Sequence, residues 1–118
     1  MSKSDGFKVT RRDDDKVTIV YPQGFLDAHT APEFESELQK AIDSGRVQIV
    51  VNCKDLDYIS SAGLGVFMGC IEQVRELGGD IKISNLLPKV YHVFELLGFH
   101  QLYDLIGTEE EAAGKFAN

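Results

Sequence analysis

Two adjacent serines, Ser60 and Ser61, stand where a polar connector meets a long segment of helical periodicity. That periodicity predicts a helix from about Ser61 to Leu77, so both hydroxyls belong to its amino-terminal end. The first N–H groups of a helix have no partners within the helix, and with the helix dipole they favour negative charge. A phosphate, with about −1.5 to −2 charge, would therefore be accommodated there. Either serine is a chemically possible phosphate acceptor, and a phosphate on Ser61 would lie where the start of the helix accommodates it.

The same segment also has a purely structural interpretation. In it, Ser60 or Ser61 serves only as the N-cap of the helix, which contributes about 1 kcal/mol. Gly63, Gly65 and Gly69 each cost the helix roughly 0.5–1 kcal/mol relative to alanine, and close approach by another backbone is the usual compensation. That backbone belongs either to the domain's own sheet or to a partner protein, and the sequence leaves both possibilities open.

Other kinds of serine and phosphate chemistry lack the residues that they need. A serine hydrolase requires Gly-x-Ser-x-Gly, and the glycine that should precede Ser61 is absent. The Gly63–Gly65 segment lies inside the helical pattern and lacks the lysine of a phosphate-binding loop. No nucleophile, base and orienting group stand out as a set. We therefore expect no catalytic residue and no cofactor, and a protein that is not an enzyme.

Metal ligands are equally sparse. The three histidines, His29, His92 and His100, include no pair at helical four-residue spacing. Cys53 and Cys70 do not form a Cys-x-x-Cys pair, so we expect two buried thiols in a reducing compartment. The sequence therefore predicts no metal site.

The elements that would position Ser61 alternate between strand and helix. Periodicity predicts strands at about 7–12, 16–21, 47–51, 80–84 and 99–105, and helices at about 31–43, 61–77 and 88–97, with a last short helix from Glu109. This order predicts an α/β domain with a mixed β-sheet of about four to five strands and helices packed mainly on one face.

Local features are also expected within this framework. Pro22–Gly24 should break the second strand, and Asn52–Ile59 should be a connector. Thr30 and Glu33 have the spacing of a capping box at the start of the first helix. Helical periodicity predicts that the following side chains face the core: Leu64, Phe67, Met68, Ile71 and Val74 in the second helix, and the stripe Leu86, Leu87, Tyr91, Phe94 and Leu97.

Composition and charge limit the class of protein. The 118 residues are 43% hydrophobic, enough for one core, and 19 acidic against 12 basic residues give a net charge of −7. Such a chain repels phosphate backbones and anionic membrane surfaces, so we expect neither nucleic acid nor membrane partners. The sequence contains no recognisable signal peptide and no apolar run of membrane length. We expect a soluble, cytoplasmic, monomeric single domain over residues 1–118, with a flexible start at 1–6.

Four segments, in order, carry a resemblance to a known family. Asp55–Val66 runs from an acidic-leucine start through an aromatic residue to Ser-Ser-Ala-Gly-Leu-Gly-Val, and Gly24–Ala31 contains Gly-Phe-Leu-Asp before the first predicted helix. Two later segments, Leu77–Ile81 (Leu-Gly-Gly-Asp-Ile) and Leu86–Val90 (Leu-Leu-Pro-Lys-Val), match the same family in kind and order. Together these segments resemble the signature of the STAS domain family, whose members include anti-sigma factor antagonists. The resemblance spans about 7–105.

The resemblance implies a function and a set of site residues. It implies a STAS-like fold and a phosphorylated serine at Ser61, and Asp27 aligns with the family's Asp ahead of the first helix. The sequence departs from the usual pattern at Ser60, where the family commonly has Asp. Without a family precedent, Asp27 would be a loop-capping residue. The partner-binding residues implied by the resemblance are Asp27, Ser60, Ser61, Ala62, Gly63, Leu64 and Gly65.

The resemblance also implies the partners. Anti-sigma factor antagonists of this kind bind an anti-sigma factor that is itself a serine kinase and so free a sigma factor. Phosphorylation of Ser61 would end binding, and a serine phosphatase would restore it. STAS domains also serve as accessory or scaffold subunits of sensory complexes and of membrane-lipid transport systems, which is the alternative expectation.

Overall fold

The computed structural model describes residues 6–116, so the expected flexible start lies, except for Gly6, outside the described residues. In chain order the elements are β1 (Lys8–Asp14), β2 (Val17–Leu26), α1 (Ala31–Asp43), β3 (Gln48–Asn52), β4 (Asp55–Ile59), α2 (Ser61–Glu76), β5 (Asp80–Ser84), α3 (Pro88–Leu96), α4 (Phe99–Leu102), β6 (Leu105–Ile106) and α5 (Glu109–Gly114). No helix within this range has both the length and the hydropathy needed to cross a membrane.

The sheet is mixed, as the alternation of elements predicts. Strands β1 and β2 form an antiparallel hairpin, and β2, β3, β5 and β6 then follow one another in parallel pairing. Strand β4 pairs with the second half of β2, also in parallel. The α/β class and the mixed sheet are confirmed, with six strands among residues 6–116 instead of four to five.

Strand β2 continues through Pro22, so the predicted break at Pro22–Gly24 is wrong. Residues 17–20 of this strand pair with β3, and residues 23–26 pair with β4. Pro22 lies between these two parallel ladders, so its missing N–H removes no bond on that side. One long strand can therefore connect the hairpin at its start to the site at its end.

The predicted connector at Asn52–Ile59 contains strand β4, which periodicity did not predict. Leu56 and Ile59 are both buried although they are three residues apart, which does not match the period of two in a regular strand. The ladder explains this spacing, because Gly24 pairs with Leu56 while the next residue, Phe25, pairs with Tyr58. Asp57 is the extra residue of a bulge, which returns Ile59 to the buried face.

Helices α1, α2 and α3 cover one face of the sheet and enclose the main core. Phe34, Phe67 and Phe94, one from each helix, are fully buried and contact one another with ring-centroid distances of 5.1 and 5.7 Å. The opposite face carries a smaller cluster in which Ala112 of α5 packs on Ile19 and Val50. Most helical packing therefore lies on one face, as predicted.

Several predicted core positions are wrong. Met68 of α2 is 46% exposed, whereas the other four side chains predicted for that helix are buried. Of the predicted stripe from Leu86 to Leu97, Phe94 is fully buried and the half-buried Leu86 packs against the core, whereas Leu87 is half-buried and Tyr91 and Leu97 are exposed. Helix α3 has only nine residues, and Val90 and Phe94, one turn apart, take up its buried face.

The predicted strand at Phe99–Leu105 is also wrong in most of its length. Phe99–Leu102 forms the short helix α4, and the strand β6 contains only Leu105 and Ile106. The predicted ends of α1 and α2 and the position of β5 agree with the structure within about one residue.

Candidate functional site

The turn into α2 is fixed to the end of the sheet. Strand β4 ends at Ile59, which pairs with Leu26, and the Ser60 N–H donates to the Leu26 carbonyl at 2.9 Å. The Ser60 carbonyl accepts the first helical bond from the Leu64 N–H at 3.0 Å. Ser60 is thus the N-cap residue, with an extended backbone, and Ser61 is the first residue of α2. The helix start therefore cannot shift without breaking the sheet.

The two serine hydroxyls lie in different environments. The Ser60 hydroxyl is enclosed and has no hydrogen-bond partner among residues 6–116, and it makes no cap bond to the helix. The Ser61 side chain is exposed on the first turn. The structural interpretation is right that a serine, Ser60, occupies the N-cap position, but wrong that its hydroxyl caps the helix, since α2 begins without a side-chain cap bond. Of the two serines, only Ser61 has an exposed side chain.

The three glycines of α2 have different roles. A Cβ added at Gly63 would lie 2.8 Å from Leu26 Cγ and 2.9 Å from Ile59 Cγ1, so the sheet itself approaches the helix there. At Gly65 and Gly69 an added Cβ would meet nothing within 4 Å. Internal packing therefore accounts for Gly63, while Gly65, one turn from Ser61, and Gly69, a further turn along, leave the outer surface of the helix bare.

The loop between β2 and α1 is held by Thr30, but not as a capping box. The Thr30 hydroxyl accepts from the Asp27 N–H at 2.9 Å and donates to the Phe25 carbonyl at 2.8 Å. Thr30 is the N-cap residue of α1, as predicted, but its side chain makes no bond to the start of the helix, so the predicted capping-box bond to the backbone at Glu33 is absent. Thr30 is buried and fixes the loop instead.

Asp27 acts in part as a loop cap. Its Oδ1 accepts from the backbone N–H groups of His29 at 2.9 Å and Thr30 at 3.3 Å. Asp27 also lines an open depression of about 410 Å³ together with Phe25, Thr30 and Asp57. The carboxylate is therefore positioned by the loop and faces a surface next to the Ser60 turn.

An exposed aromatic pair completes this surface. Phe25 of β2 is 58% exposed and Tyr58 of β4 is 46% exposed, and their ring centroids are 5.6 Å apart. Asp57, beside Tyr58, forms an exposed ion pair with Lys89 of α3 at 3.6 Å. Phe25 lies between the buried Gly24 and Leu26, so strand alternation could have predicted its exposure; the pairing with Tyr58 depends on the bulge.

The cysteines and histidines lie outside this arrangement. Cys53 and Cys70 are buried free thiols, as expected, and burial raises the pKa of Cys70 to about 11. The pKa of Cys53 is also raised by burial. Across residues 6–116, no three His, Cys, Asp or Glu side chains are grouped so that they could hold a metal ion.

Comparison with known proteins gives matches along nearly the whole chain. The sequence profile of the STAS domain matches residues 8–112. BtrV of Bordetella bronchiseptica is 35% identical over 109 residues, which cover 92% of this chain and 94% of BtrV. The anti-sigma-B factor antagonist of Bacillus subtilis is 30% identical over 87 residues, covering 74% of this chain and 79% of that protein.

Solved structures show the same fold. The anti-sigma factor antagonist SpoIIAA of Bacillus has been solved in an unphosphorylated and a phosphorylated form, and both superpose on this chain with a TM-score of 0.71 and 23% identity. The superpositions cover 95% and 93% of this chain, respectively, and 98% of each SpoIIAA chain.

Proposed function

This chain belongs to the STAS domain family and to its anti-sigma factor antagonists, and we propose that it works as a phosphorylation-controlled partner switch. In the unphosphorylated form it binds an anti-sigma factor that is also a serine kinase, and so frees a sigma factor. The kinase transfers phosphate to Ser61 and binding is lost. A serine phosphatase then restores the hydroxyl.

The observation that carries this proposal is the contrast between the two serines. The Ser61 hydroxyl is exposed at the first turn of α2, whereas the Ser60 hydroxyl is enclosed. A kinase must bring the hydroxyl oxygen and the terminal phosphate of ATP into line, which requires an accessible side chain. Ser61 meets this requirement in the folded domain. The proposal therefore assigns phosphorylation to Ser61 and not to Ser60.

The surface around Ser61 supports a protein partner. Gly65 is bare one turn along α2, and Asp27 lies at the end of β2, the strand whose last residue holds the Ser60 turn. The aromatic pair of Phe25 and Tyr58 adds exposed apolar area of the kind that forms the centre of protein interfaces. We assign Asp27, Ser61 and Gly65 to direct contact with the partner.

The other four residues that the family resemblance implies, Ser60, Ala62, Gly63 and Leu64, support this surface from the interior. Gly63 and Leu64 are buried, and Ala62 packs partly against the core. Ser60 holds the helix to the sheet through its backbone. In this proposal these four residues set the position of Ser61 without contacting the partner through their side chains.

The switch follows from the different environments of a phosphate in the free and bound domain. In the free domain, a phosphate on Ser61 lies in water next to the N–H groups at the start of α2, which favour negative charge. In the complex the same dianion would be desolvated against the partner, at a cost of several kcal/mol unless cations compensate. The existence of a phosphorylated form of SpoIIAA supports this assignment.

The test uses the purified anti-sigma factor of the same organism with ATP. Mass spectrometry should show one added phosphate on wild-type protein and on Ser60→Ala, and none on Ser61→Ala. In binding measurements, Ser61→Ala should retain wild-type affinity and Ser61→Asp should lose at least tenfold. Equal affinity of Ser61→Ala and Ser61→Asp, or phosphate on Ser61→Ala, would exclude the mechanism.

A further inference from the structure

A second groove lies on α2 away from Ser61. It has a volume of about 350 Å³ and is lined by Met68, Ile71, Glu72, Arg75, Glu76 and Tyr103. Met68 is 46% exposed, and Leu102, next to Tyr103, is 60% exposed. Glu76 stands fifteen residues beyond Ser61, about 22 Å along the helix axis. Its near end, Met68, stands seven residues beyond Ser61, about 10 Å along the axis and on the same side of the helix, so the groove begins two turns beyond Ser61.

One wall of this groove is rigid and electrically neutral. The Arg75 Nε donates to Asp80 Oδ1 at 2.8 Å, and the guanidinium lies 5.5 Å from the centre of the Tyr103 ring. The Tyr103 ring in turn packs edge-on against Phe99, with centroids 5.3 Å apart. Arg75 is thus committed to Asp80 and leaves no free positive charge in the groove.

The other wall carries two carboxylates without counter-ions. Neither Glu72 nor Glu76 forms an ion pair with any residue in the described range 6–116, and both are exposed. They stand one turn apart on α2, where like charges destabilise a helix by a few tenths of a kcal/mol. The groove therefore combines an apolar floor with an uncompensated charge of −2.

The spacing defines what would fit. Met68, Glu72 and Glu76 follow one another at four-residue intervals, about 6 Å apart along one ridge of α2. A second helix lying along this ridge would present side chains at the same interval, because every fourth residue of a helix is about 6 Å further along its axis. It would match Met68 with an apolar residue, and Glu72 and Glu76 with two basic residues, each four positions from the next.

We propose that this groove docks a basic amphipathic helix of another protein, with one apolar and two basic residues at successive four-residue spacing. The charge complementarity favours a cationic partner over an anionic membrane surface, which the two glutamates repel. The groove continues, toward the carboxyl end, the side of α2 that carries Ser61, but its lining residues do not include Ser61 itself.

The experiment uses the full chain and a synthetic probe. The probe is a capped 18-residue Ala-based helical peptide with one Leu-x-x-x-Lys-x-x-x-Lys segment, and its control has the same composition with the two lysines and the leucine in scrambled order. In ¹⁵N-resolved titrations we expect saturable shifts confined to residues 68–76 and 102–103. The scrambled peptide should bind at least fivefold more weakly.

Charge-reversal variants test the assignment of the carboxylates. Glu72→Lys/Glu76→Lys should weaken the ordered peptide at least tenfold, while Glu35→Lys/Asp43→Lys, which makes the same change of net charge on exposed positions of α1, should retain binding. Ser61→Asp should bind the peptide as wild type does, so this result does not depend on the switch at Ser61. Absence of binding, equal binding of the scrambled peptide, or unchanged binding by the α2 double variant would overturn the proposal. Self-association of the free domain through this groove, detected by sedimentation, would also overturn it.

Discussion

At Gly65 and Gly69, helix α2 has two residues that lower its stability without any need from internal packing. An added Cβ would meet nothing within 4 Å at either position. Glycine is less favourable than alanine by roughly 0.8–1.0 kcal/mol in a helix interior. Gly63 differs, because Leu26 and Ile59 lie too close to its Cα for a side chain. We infer that the bare surface at Gly65 serves the partner that binds at Ser61.

Alanine at these positions should therefore separate stability from binding. We expect Gly65→Ala to raise the free energy of unfolding by about 0.5–1 kcal/mol and the Tm by about 2–5 °C, because the helix gains propensity and no contact is lost. The same variant should bind the anti-sigma factor more weakly, by about tenfold, because the methyl group prevents close approach. Calorimetry and titration of one protein preparation measure both quantities.

Two other glycines provide the controls for that experiment. Gly69→Ala should stabilise α2 by a similar amount, with a smaller effect on binding since it lies a further turn from Ser61. Gly63→Ala should lower stability by about 1–3 kcal/mol, because Leu26 and Ile59 must move. A stabilised Gly65→Ala protein that binds with wild-type affinity would show that the partner does not approach α2 there.

Residue-level predictions from the sequence succeeded where the signal was local. The start of α2 at Ser61 follows from helical periodicity and was correct. The capping box at Thr30 was wrong because its hydroxyl bonds the Phe25 carbonyl and the Asp27 N–H in the preceding loop, and makes no bond to the first turn of α1. Which partners the Thr30 hydroxyl bonds depends on where β2 ends, and the spacing of nearby residues in the sequence does not show that.

Among the elements, helix α5 is connected to the sheet by one carboxylate. Glu109 Oε2 accepts from Arg12 Nη2 at 2.6 Å, and its Oε1 accepts from the Tyr21 hydroxyl at 2.8 Å and Asn52 Nδ2 at 3.0 Å. Arg12, Tyr21 and Asn52 belong to three adjacent strands, β1, β2 and β3. One side chain thus holds the last helix against the face of the sheet opposite α1, α2 and α3.

These bonds also set the protonation of Glu109. Burial by itself raises the pKa of Glu109, but donation from Asn52, Tyr21 and Arg12 outweighs it, so the pKa lies below the ordinary value of 4.5. A carboxylate with a lower pKa in the folded state stabilises the fold above its unfolded pKa. That contribution is lost as the pH falls through the folded pKa, so it should disappear in acid.

Glu109→Gln should show this dependence. At pH 7 we expect a loss of about 1–2 kcal/mol of stability, since an amide replaces a charged acceptor of three hydrogen bonds. The difference from wild type should begin to shrink as the pH falls below about 4.5, where Glu109 of the unfolded chain takes up a proton, and should vanish below the lowered pKa of the folded protein. Denaturant unfolding at several pH values measures the difference. Glu110→Gln, at an exposed neighbour without such bonds, is the control, and a pH-independent loss in Glu109→Gln would contradict the argument.

Helices and strands were predicted correctly where their apolar residues follow a regular period. Helices α1 and α2 have many periodic apolar residues, and their ends agree with the prediction. Strand β4 was missed because the bulge at Asp57 disrupts the alternation that identifies a strand. The network around Glu109 joins residues 57 to 97 positions apart in sequence, and its members have no local pattern that would connect them.

On the scale of the whole molecule, the surface around Ser61 is independent of the packing of the core. Ser61 belongs to a helix whose start is bonded to the sheet at Leu26, while its own side chain points away from the packed residues. Adding charge there changes the surface without removing any bond among residues 6–116. The switch that we propose therefore acts by changing what can dock, with the fold the same in both states.

This independence predicts that Ser61→Asp leaves the free domain intact. A carboxylate on the first turn of α2 interacts favourably with the helix dipole, so we expect the stability to stay equal or rise by about 0.3–1 kcal/mol at low salt. Amide spectra should change only near residues 58–65. The control is Ser36→Asp, which adds the same charge on the exposed side of α1 and should leave binding of the anti-sigma factor unchanged. If Ser61→Asp loses more than about 2 kcal/mol of stability, or if its amide signals change across the sheet, the switch works through unfolding. If the switch acts at the surface, the variant keeps its fold and binds the anti-sigma factor at least tenfold more weakly.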